Sequence, residues 1–272
     1  MIGVCLKWVE RRPEVDPLTG DVATDPRTSG ASPADQAALE WALRLADAWD
    51  DEVTALTAGP PAAEPVLREA LAAGAARAVR VHLADDAASE AAAAGLAAAL
   101  DAAGSMAVVC GDWSLDRGSG AVPAYLAAHL GAAQALGLVD LEPGPPGRVR
   151  AERRLDGGRR EWLAVAAPMV LSVEGRARLR RADLEGILAA REAPIEVRPG
   201  PPAHARVPLR TGPYRPRARV LPAPGGASAR ERILALTGAL VDRTPPEQVV
   251  LDPAPAADRL LAQLRAWGYL DE

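Results

Sequence analysis

Phenylalanine is absent from this chain of 272 residues, and Lys7 is its only lysine among many arginines. The abundance of Ala, Gly, Pro and Arg is typical of a GC-rich genome and indicates no particular function. The two cysteines, Cys5 and Cys110, form no CxxC pair. That spacing argues against a disulfide framework or a zinc site and favours a reducing compartment.

The chain also lacks a run of about eighteen apolar residues, because Asp, Glu and Arg interrupt its Ala-rich segments, so no membrane-spanning helix is expected. The amino terminus carries a charge at Lys7 and no small-residue cleavage site, so we expect no signal peptide and a cytoplasmic location. The net charge of -5 gives no reason to expect nucleic acid or an anionic membrane surface as a partner.

Apolar residues make up 49% of the chain, enough for the core of one large α/β domain with an added lobe. Strands are predicted at residues 2–9, 53–58, 78–83 and 106–110, and helices at 62–73 and 87–103. Another helix is expected to start at Ser32 as the cap, with Pro33 at its first position and Asp35 three residues after the cap. This alternation predicts a doubly wound, mostly parallel sheet, a Rossmann-like arrangement with helices on both faces.

The stretch from Val108 to Gly131 has the layout that parallel sheets use to present backbone N–H groups to a phosphate. A short apolar strand leads into a loop rich in Gly and Ser, and an Ala-rich helix follows. Gly118 and Gly120 would let the backbone approach a ligand closely. The pattern is weak by itself, since there is no third glycine and no Lys-Ser or Lys-Thr pair. An ordinary strand–helix turn is the alternative.

The second half of the chain shows a different pattern of predicted elements. Strand-like runs at 138–142, 149–155, 161–166 and 169–173 are separated by turns, with a hairpin-type connection at Asp156-Gly157-Gly158. A short helix is predicted at 183–190 after an Arg-rich loop. Residues 194–226 contain many Pro and Gly and indicate an extended arm, followed by helices at 229–240 and 256–267. We therefore predict a nucleotide-binding domain at 1–193 and an arm with helices at 194–272.

The segment from Ala151 to Leu171 resembles the signature of the electron transfer flavoprotein β subunit. The positions that match at the family's spacing are Ala151, Arg153, Asp156, Gly157, Gly158, Glu161, Leu163, Pro168, Val170 and Leu171. Other parts agree in order, from the first strand with Lys7 to the loop by which the family docks on dehydrogenases. The resemblance covers nearly the whole chain and is weakest at residues 200–245.

This resemblance implies a heterodimer with an α subunit that holds the redox FAD. Typical β subunits bind AMP, and in this chain AMP, a second FAD or nothing could occupy the nucleotide pocket. The β subunit would receive electrons from flavin dehydrogenases and pass them to a quinone oxidoreductase or another acceptor. It would be an electron carrier and not an enzyme. The cofactor-binding positions implied are Lys7, Ser32, Gly59, Pro60, Gly111, Asp116, Gly118, Ser119, Gly120, Ala121 and Val122. The partner-docking positions implied are Arg180, Leu184 and Ile187.

The sequence departs from the family pattern at several of these positions. Ala121 stands where the nucleotide loop usually has Gln, Ser32 where Asn is usual, and Arg181 and Glu185 where the docking loop usually has Tyr and Pro. Fewer side chains would then hold the nucleotide, while the backbone donors of residues 118–122 remain. These departures suggest a specialised member of the family.

Each candidate also has a simpler interpretation. Lys7 and Asp116 could be solvated loop residues, Ser32 a helix cap, and Leu184 a core residue at the start of a helix. The arginines between positions 176 and 181 could steer an acidic partner or form a solvated face. His82, His129 and His204 show no spacing of a metal site or triad, and no catalytic or metal-binding residue is predicted.

A second hypothesis from another functional class is a stand-alone adenine-nucleotide sensor of the universal-stress type. The domain up to residue 131 would permit it. Such proteins usually end near residue 150, which would leave about half of this chain without a role.

Overall fold

A computed structural model describes residues 1–84, 87–202, 223–237 and 248–270. The chain divides into a large unit, Met1–Tyr214, and a small unit, Arg215–Glu272. In the described part, every helix is too short or too polar to cross a lipid bilayer.

Among the described residues, the large unit is built on a nine-stranded sheet in which seven neighbouring strands run parallel. Short strands outside this sheet form two antiparallel ladders within residues 9–30. In chain order the strands are β1 Ile2–Cys5, β2 Val9–Glu10, β3 Glu14–Val15, β4 Val22–Ala23, β5 Ser29–Gly30, β6 Val53–Gly59, β7 Arg77–His82, β8 Ala107–Gly111, β9 Ala133–Pro143, β10 Arg148–Arg154, β11 Arg160–Ala166, β12 Met169–Val173 and β13 Glu196–Pro199. The order across the central sheet is β11-β10-β9-β12-β8-β1-β6-β7-β13.

Helices connect the parallel strands, as the alternation of patterns predicts. They are α1 Pro33–Trp49, α2 Glu64–Ala73, α3 Ser89–Ala102, α4 Val122–Leu130 and α5 Leu184–Glu192 in the large unit, with α6 Ala229–Thr237 and α7 Pro253–Ala266 in the small unit. The helix α1 begins as predicted, because the Ser32 hydroxyl accepts a hydrogen bond from the Asp35 N–H at 3.0 Å. The predicted end of α6, residues 238–240, lies outside the described residues.

The sheet buries apolar side chains on both of its faces. One core cluster packs α1 and α2 around residues such as Ile2, Leu45 and Leu171. The other packs α3 and α4 around residues such as Leu56, Leu100 and Leu126. Strands buried on two faces read as continuous apolar runs, which is why the central strands could be recognised in the sequence. The predicted fold class, a doubly wound and mostly parallel α/β sheet, is confirmed.

The first predicted strand is too long. Only residues 2–5 pair with β6 and β8, and the chain then leaves the central sheet so that Val9 pairs with Gly30. The Lys7 N–H donates to the Asp35 carboxylate at 3.2 Å instead of to a neighbouring strand. This departure directs residues 6–8 over the carboxyl end of the sheet.

The edges of the sheet also differ from the expectation. The strand β9 is longer than predicted and begins at Ala133, and β10 and β11 extend the sheet beyond it as antiparallel strands. At the other edge, β13 pairs in parallel with β7 although no strand was predicted within the arm at 194–226. A short strand of four residues next to Pro and Gly carries too little periodicity to be recognised.

Candidate functional site

A cleft opens at the carboxyl edge of the parallel strands, where the strand order changes direction. The chain proceeds from β1 to β6 on one side and later returns to β8 on the other, so β1 and β8 flank a topological switch point. Ligands of open α/β sheets bind at such points. The cleft is lined by residues of β1 and β8, the loop after β8, α3 and the first turn of α4, including Leu6, Lys7, Asp35, Ala58, Leu83, Ala92, Leu96, Cys110, Gly111, Trp113, Arg117, Ser119, Gly120, Ala121 and Val122.

The start of α4 forms the most polar backbone of this cleft. Ala121 is its N-cap and provides no side-chain acceptor, so the N–H groups of Val122 and Ala124 are available to a ligand, whereas Pro123 between them has no N–H. Gly120 has a φ of 58°, and a Cβ there would lie 2.4 Å from the Asp112 carbonyl oxygen. Only glycine therefore permits this loop to fold back next to the helix start.

An ion pair joins the two sides of the cleft. The Lys7 Nζ lies 2.5 Å from an Asp116 carboxylate oxygen, and both side chains are partly exposed. Burial by itself would raise the pKa of Asp116, but the hydrogen bonds from Lys7, Ser114 and the Arg117 N–H and the charge of Lys7 together outweigh it, and the pKa lies below its usual value. Lys7 thus connects the segment after β1 with the loop after β8, and neither residue is an unpaired solvated charge.

Asp35 is a site residue that the sequence analysis treated only as part of a helix start. It lines the cleft and is nearly fully buried, and its Oδ2 accepts the Lys7 N–H. Burial raises the pKa of Asp35 to about 7, although hydrogen bonds from Lys7 and Ser32 act in the opposite direction. No local sequence pattern marks this role, because the contact that places Asp35 at the cleft is with Gly111 at the end of β8, where a Cβ would lie 2.6 Å from the Asp35 Oδ1.

Six of the predicted cofactor-binding residues line the cleft together, namely Lys7, Gly111, Ser119, Gly120, Ala121 and Val122. Asp116 joins them through Lys7, and Gly118 shapes the loop by donating its N–H to the Ser114 carbonyl at 2.9 Å. Trp113 and Arg117 also line the cleft but were not predicted, because loop side chains of this kind carry no periodic pattern.

The remaining predicted positions lie outside the lining of the cleft. The Ser32 hydroxyl caps α1. Gly59 ends β6, and its carbonyl accepts hydrogen bonds from the buried Arg80 guanidinium at 3.2 Å and from the Leu83 N–H at 3.4 Å. Pro60 follows as the N-cap of a short 3-10 turn. Gly59 and Pro60 therefore position the neighbouring Leu83, which does line the cleft.

Both cysteines lie under this cleft on neighbouring strands. Cys5 of β1 and Cys110 of β8 are partners in the register of the parallel pair, and both are buried. A hydrogen bond between the two thiols and their burial raise the pKa of Cys110 well above its usual range. A thiol held protonated in this way is a poor nucleophile.

The Arg-rich loop after β12 is fixed to α1 through Arg180. The Glu40 carboxylate is buried and accepts the Arg180 N–H at 2.9 Å, the Arg180 Nε at 3.1 Å and the Arg44 Nε at 2.8 Å. A second nitrogen of Arg180 lies 3.0 Å from an Asp47 oxygen. Arg180, predicted to dock a partner, therefore holds the loop in place.

The helix α5 follows this loop and is attached to α2 at both ends. Asp183 caps its start by accepting the Gly186 N–H at 2.7 Å. At its other end, Arg68 of α2 donates to the carbonyls of Ala190, at 2.7 Å, and Ala193. Leu184 is 72% exposed and Ile187 40% exposed, so Leu184 is not a core residue.

The described residues contain no group of three or more His, Cys, Asp or Glu side chains placed to hold a metal ion. His82 Nδ1 lies 3.1 Å from Arg80, His129 belongs to the last turn of α4, and His204 lies outside the described residues. The cleft can hold a small ligand through backbone donors, one lysine and one buried carboxyl group.

Comparison with known proteins identifies relatives that match most of the chain. The family profile described as "Electron transfer flavoprotein domain" matches residues 20–203. "Electron transfer flavoprotein subunit beta" of Mycobacterium tuberculosis is 35% identical over 206 residues, which cover 70% of this chain and 73% of that protein.

Two further relatives extend the comparison to other bacteria. "Protein FixA" of Sinorhizobium fredii is 32% identical over 206 residues, covering 71% of this chain and 72% of that protein. "Electron transfer flavoprotein subunit beta" of Clostridium acetobutylicum is 45% identical over 80 residues, covering 29% of this chain and 31% of that protein. The chain therefore belongs to the electron transfer flavoprotein family, as a β-type electron carrier and not an enzyme.

Proposed function

We propose that this chain is the β subunit of a heterodimeric electron transfer flavoprotein in the cytoplasm. Electrons would pass from flavin-dependent dehydrogenases, through an FAD held mainly by the α subunit, to a quinone-linked acceptor. The bound FAD supplies the one- and two-electron chemistry. This chain would complete the surroundings of the flavin and dock the donor.

The observation that carries this proposal is the apolar surface of the small unit. None of its described residues is buried, although α6, α7 and the segments beside them contain many large apolar side chains. The exposed ones are Ile233, Leu236, Val249, Val250, Leu251, Leu260, Leu261, Trp267, Tyr269 and Leu270. Apolar surface of this extent is typical of a segment that packs against another chain. The α subunit is the partner that the family supplies.

We further propose that the cleft at the switch point binds AMP. The uncapped start of α4 and the close turn at Gly120 fit a phosphate group, which takes backbone N–H donors at a helix start. Lys7 adds a positive charge within the same cleft, and Ala58, Leu83, Ala92 and Leu96 provide an apolar wall. Ser119, Ala121 and Val122 would line the ligand together with Gly111.

The donor dehydrogenase would bind at α5. Leu184 projects from the first turn of this helix, Ile187 and Leu188 are exposed one turn later, and the loop before it is rich in arginine. An exposed apolar anchor surrounded by charged residues is a common arrangement at interaction hot spots. Arg180 would contribute by holding this loop against α1 rather than by touching the partner.

Co-expression with the gene for an α-type subunit tests the proposed assembly. We expect a yellow one-to-one complex on size-exclusion chromatography, with FAD and AMP released on denaturation. We expect this complex because the apolar surface of the small unit would remain exposed to water without a partner. A colourless homodimer that retains ATP or AMP would instead support the sensor of the universal-stress type and contradict the proposal.

Replacement of Leu184 by alanine tests the docking surface. We expect dehydrogenase-dependent reduction of the complex to fall by about tenfold at limiting concentration, because truncating an apolar anchor removes on the order of 1–2 kcal/mol of binding free energy. The flavin content should not change. Leu18→Ala is the matched control, since Leu18 is equally exposed but lies on the β3–β4 hairpin. Equal effects of the two substitutions would contradict a specific role for Leu184.

A further inference from the structure

Asp35 is unlike the other charged residues at the cleft because it is buried. It is 6% exposed, whereas the side chains of Lys7 and Asp116 are 39% and 43% exposed. A carboxylate withdrawn from water is unfavourable unless hydrogen bonds or an opposite charge compensate it. Its compensation here comes from three neutral donors, the Lys7 N–H and the hydroxyl and N–H of Ser32, with a smaller contribution from the charge of Lys7.

The carboxyl group reaches the cleft because β8 ends in glycine. Its Oδ2 accepts the Lys7 N–H at 3.2 Å, while its Oδ1 lies where a side chain at Gly111 would otherwise extend. Both Asp35 and Gly111 line the cleft. A ligand between β1 and the start of α4 would therefore lie next to this carboxyl group.

The charges of the described residues that line the cleft cancel when Asp35 is ionised. Asp112, which follows Gly111, lies outside that lining, and burial and the charge of Glu174 raise its pKa. Lys7 is paired with Asp116, which leaves Arg117 as the further cation among the described residues that line the cleft. The thiol of Cys110 lies on the strand below, and its pKa is raised, so it adds no negative charge at neutral pH. The arginines of the loop after β12 line a separate depression with Gln36, namely Arg176, Arg178, Arg180 and Arg181.

An ionised Asp35 thus gives the cleft no net charge, whereas a protonated Asp35 gives it one net positive charge. A ligand that carries a phosphate group is attracted more strongly when Asp35 is protonated, because opposite charges attract each other strongly at short range in a partly buried site. A protonated carboxyl group also offers one O–H donor and one carbonyl acceptor. That pair complements either a phosphate oxygen or the ring nitrogen and amino group of adenine.

We propose that a nucleotide enters this cleft together with a proton, which is held on Asp35 in the complex. The inference rests on the proposed nucleotide site and adds its regulation by pH. The proton comes from solvent and returns to solvent when the nucleotide leaves, and no covalent bond to the ligand forms. The occupancy of the β-subunit site would then depend on the pH of the compartment.

The pKa of Asp35, which burial raises to about 7, supports this proposal because the group then titrates within the physiological range. The sign follows from linkage. A ligand that prefers the protonated form binds with full affinity below about pH 7, and its affinity falls as the pH rises further. The limiting slope is about tenfold per pH unit for one linked proton.

The test is the affinity of the full chain for AMP between about pH 6 and about pH 9, with Asp35→Asn as the matched variant. We expect the dissociation constant of the unmodified chain to rise by roughly tenfold from pH 7.5 to pH 8.5, and that of the variant to stay nearly constant. The phosphate of AMP titrates near pH 6 in both cases, so it cancels in the comparison. Asparagine can still accept the Lys7 N–H, which should preserve the local fold.

Calorimetry on the unmodified chain provides a measurement that does not depend on the variant. In two buffers of different ionisation enthalpy at about pH 8, AMP binding should take up close to one proton. Binding of adenosine, which lacks the phosphate, shows which part of the ligand contacts Asp35. If adenosine binding still takes up a proton, the protonated carboxyl group lies beside the base. If the proton uptake disappears, the carboxyl group lies beside the phosphate.

Binding of AMP without proton uptake, and with the same pH profile for Asp35→Asn, would overturn the inference and leave the nucleotide site intact. Absence of AMP binding at every pH would overturn both this inference and the proposed nucleotide site. The assembly with an α subunit would be unaffected by either result.

Discussion

Replacing Glu40 with alanine is expected to lower the free energy of unfolding by about 2 kcal/mol. Its carboxylate is buried and joins Arg44 of α1 to the backbone and side chain of Arg180. Removing it leaves the Arg180 N–H and two guanidinium groups without this acceptor. Because both arginines are partly exposed, the loss stays below the 3–5 kcal/mol or so of a fully buried pair. Chemical denaturation followed by circular dichroism measures the effect.

Asp47→Ala is the matched control for this substitution. Asp47 pairs with the same arginine at 3.0 Å, but its side chain is 66% exposed. Exposed ion pairs contribute less than about 1 kcal/mol, so we expect a much smaller loss. A loss for Asp47→Ala as large as that for Glu40→Ala would show that burial of the acceptor is not what matters.

The contribution of Glu40 should also depend on pH. Burial by itself would raise its pKa, but the hydrogen bonds from Arg44 and Arg180 outweigh burial and hold the pKa below the usual 4.5. A carboxyl group with a lowered pKa stabilises the fold above its unfolded-state value and loses this effect as the pH falls through the folded-state value. The difference between the unmodified chain and Glu40→Ala should therefore shrink in acid.

Replacing Gly186 with alanine is the second substitution with a large expected effect. In most helices this change stabilises the fold by about 0.5–1 kcal/mol. Here the new Cβ would lie 2.8 Å from the Ala72 carbonyl oxygen, a backbone atom of α2. The contact would push α5 away from α2, and we expect a loss of about 2 kcal/mol in the free energy of unfolding. Reduction by the dehydrogenase should decline as well, since Leu184 moves with the helix.

Gly225→Ala serves as the control, because a Cβ at Gly225 meets no atom within 4 Å. This variant should unfold like the unmodified chain and accept electrons at the same rate. If Gly186→Ala proved as stable as Gly225→Ala, the close packing of α5 on α2 would be contradicted.

Periodic patterns explain why most of the fold could be predicted from the sequence. Strands buried on both faces, such as residues 106–110, appear as uninterrupted apolar runs, and Ser32-Pro33 marks the start of α1 through its capping chemistry. These patterns depend only on residues that are close in sequence, so they can be recognised without knowing which residues are close in space. The departure of residues 6–8 from the sheet and the pairing of β13 with β7 depend on contacts distant in sequence.

The part of the site that the backbone forms could be predicted from the sequence. The loop from Gly111 to Val122 could be located because strand, glycines and helix follow one another. Asp35 and Trp113 could not be assigned, since a capping carboxylate and a loop tryptophan have the same local pattern whether or not they face a cleft. For Arg180, local sequence indicated an exposed basic loop, whereas the buried acceptor Glu40 lies 140 positions away.

The position of Lys7 has a practical consequence for chemistry at this cleft. It is the single lysine of the chain, and its Nζ lies 2.5 Å from Asp116 on the opposite side of the cleft. Reagents that acylate primary amines therefore have one side-chain target here besides the terminal amine, which itself lies 2.8 Å from Asp51. The extent of acylation at Lys7, read by mass spectrometry, would report directly on whether the cleft is filled. The chain thus carries its own single-residue footprinting probe.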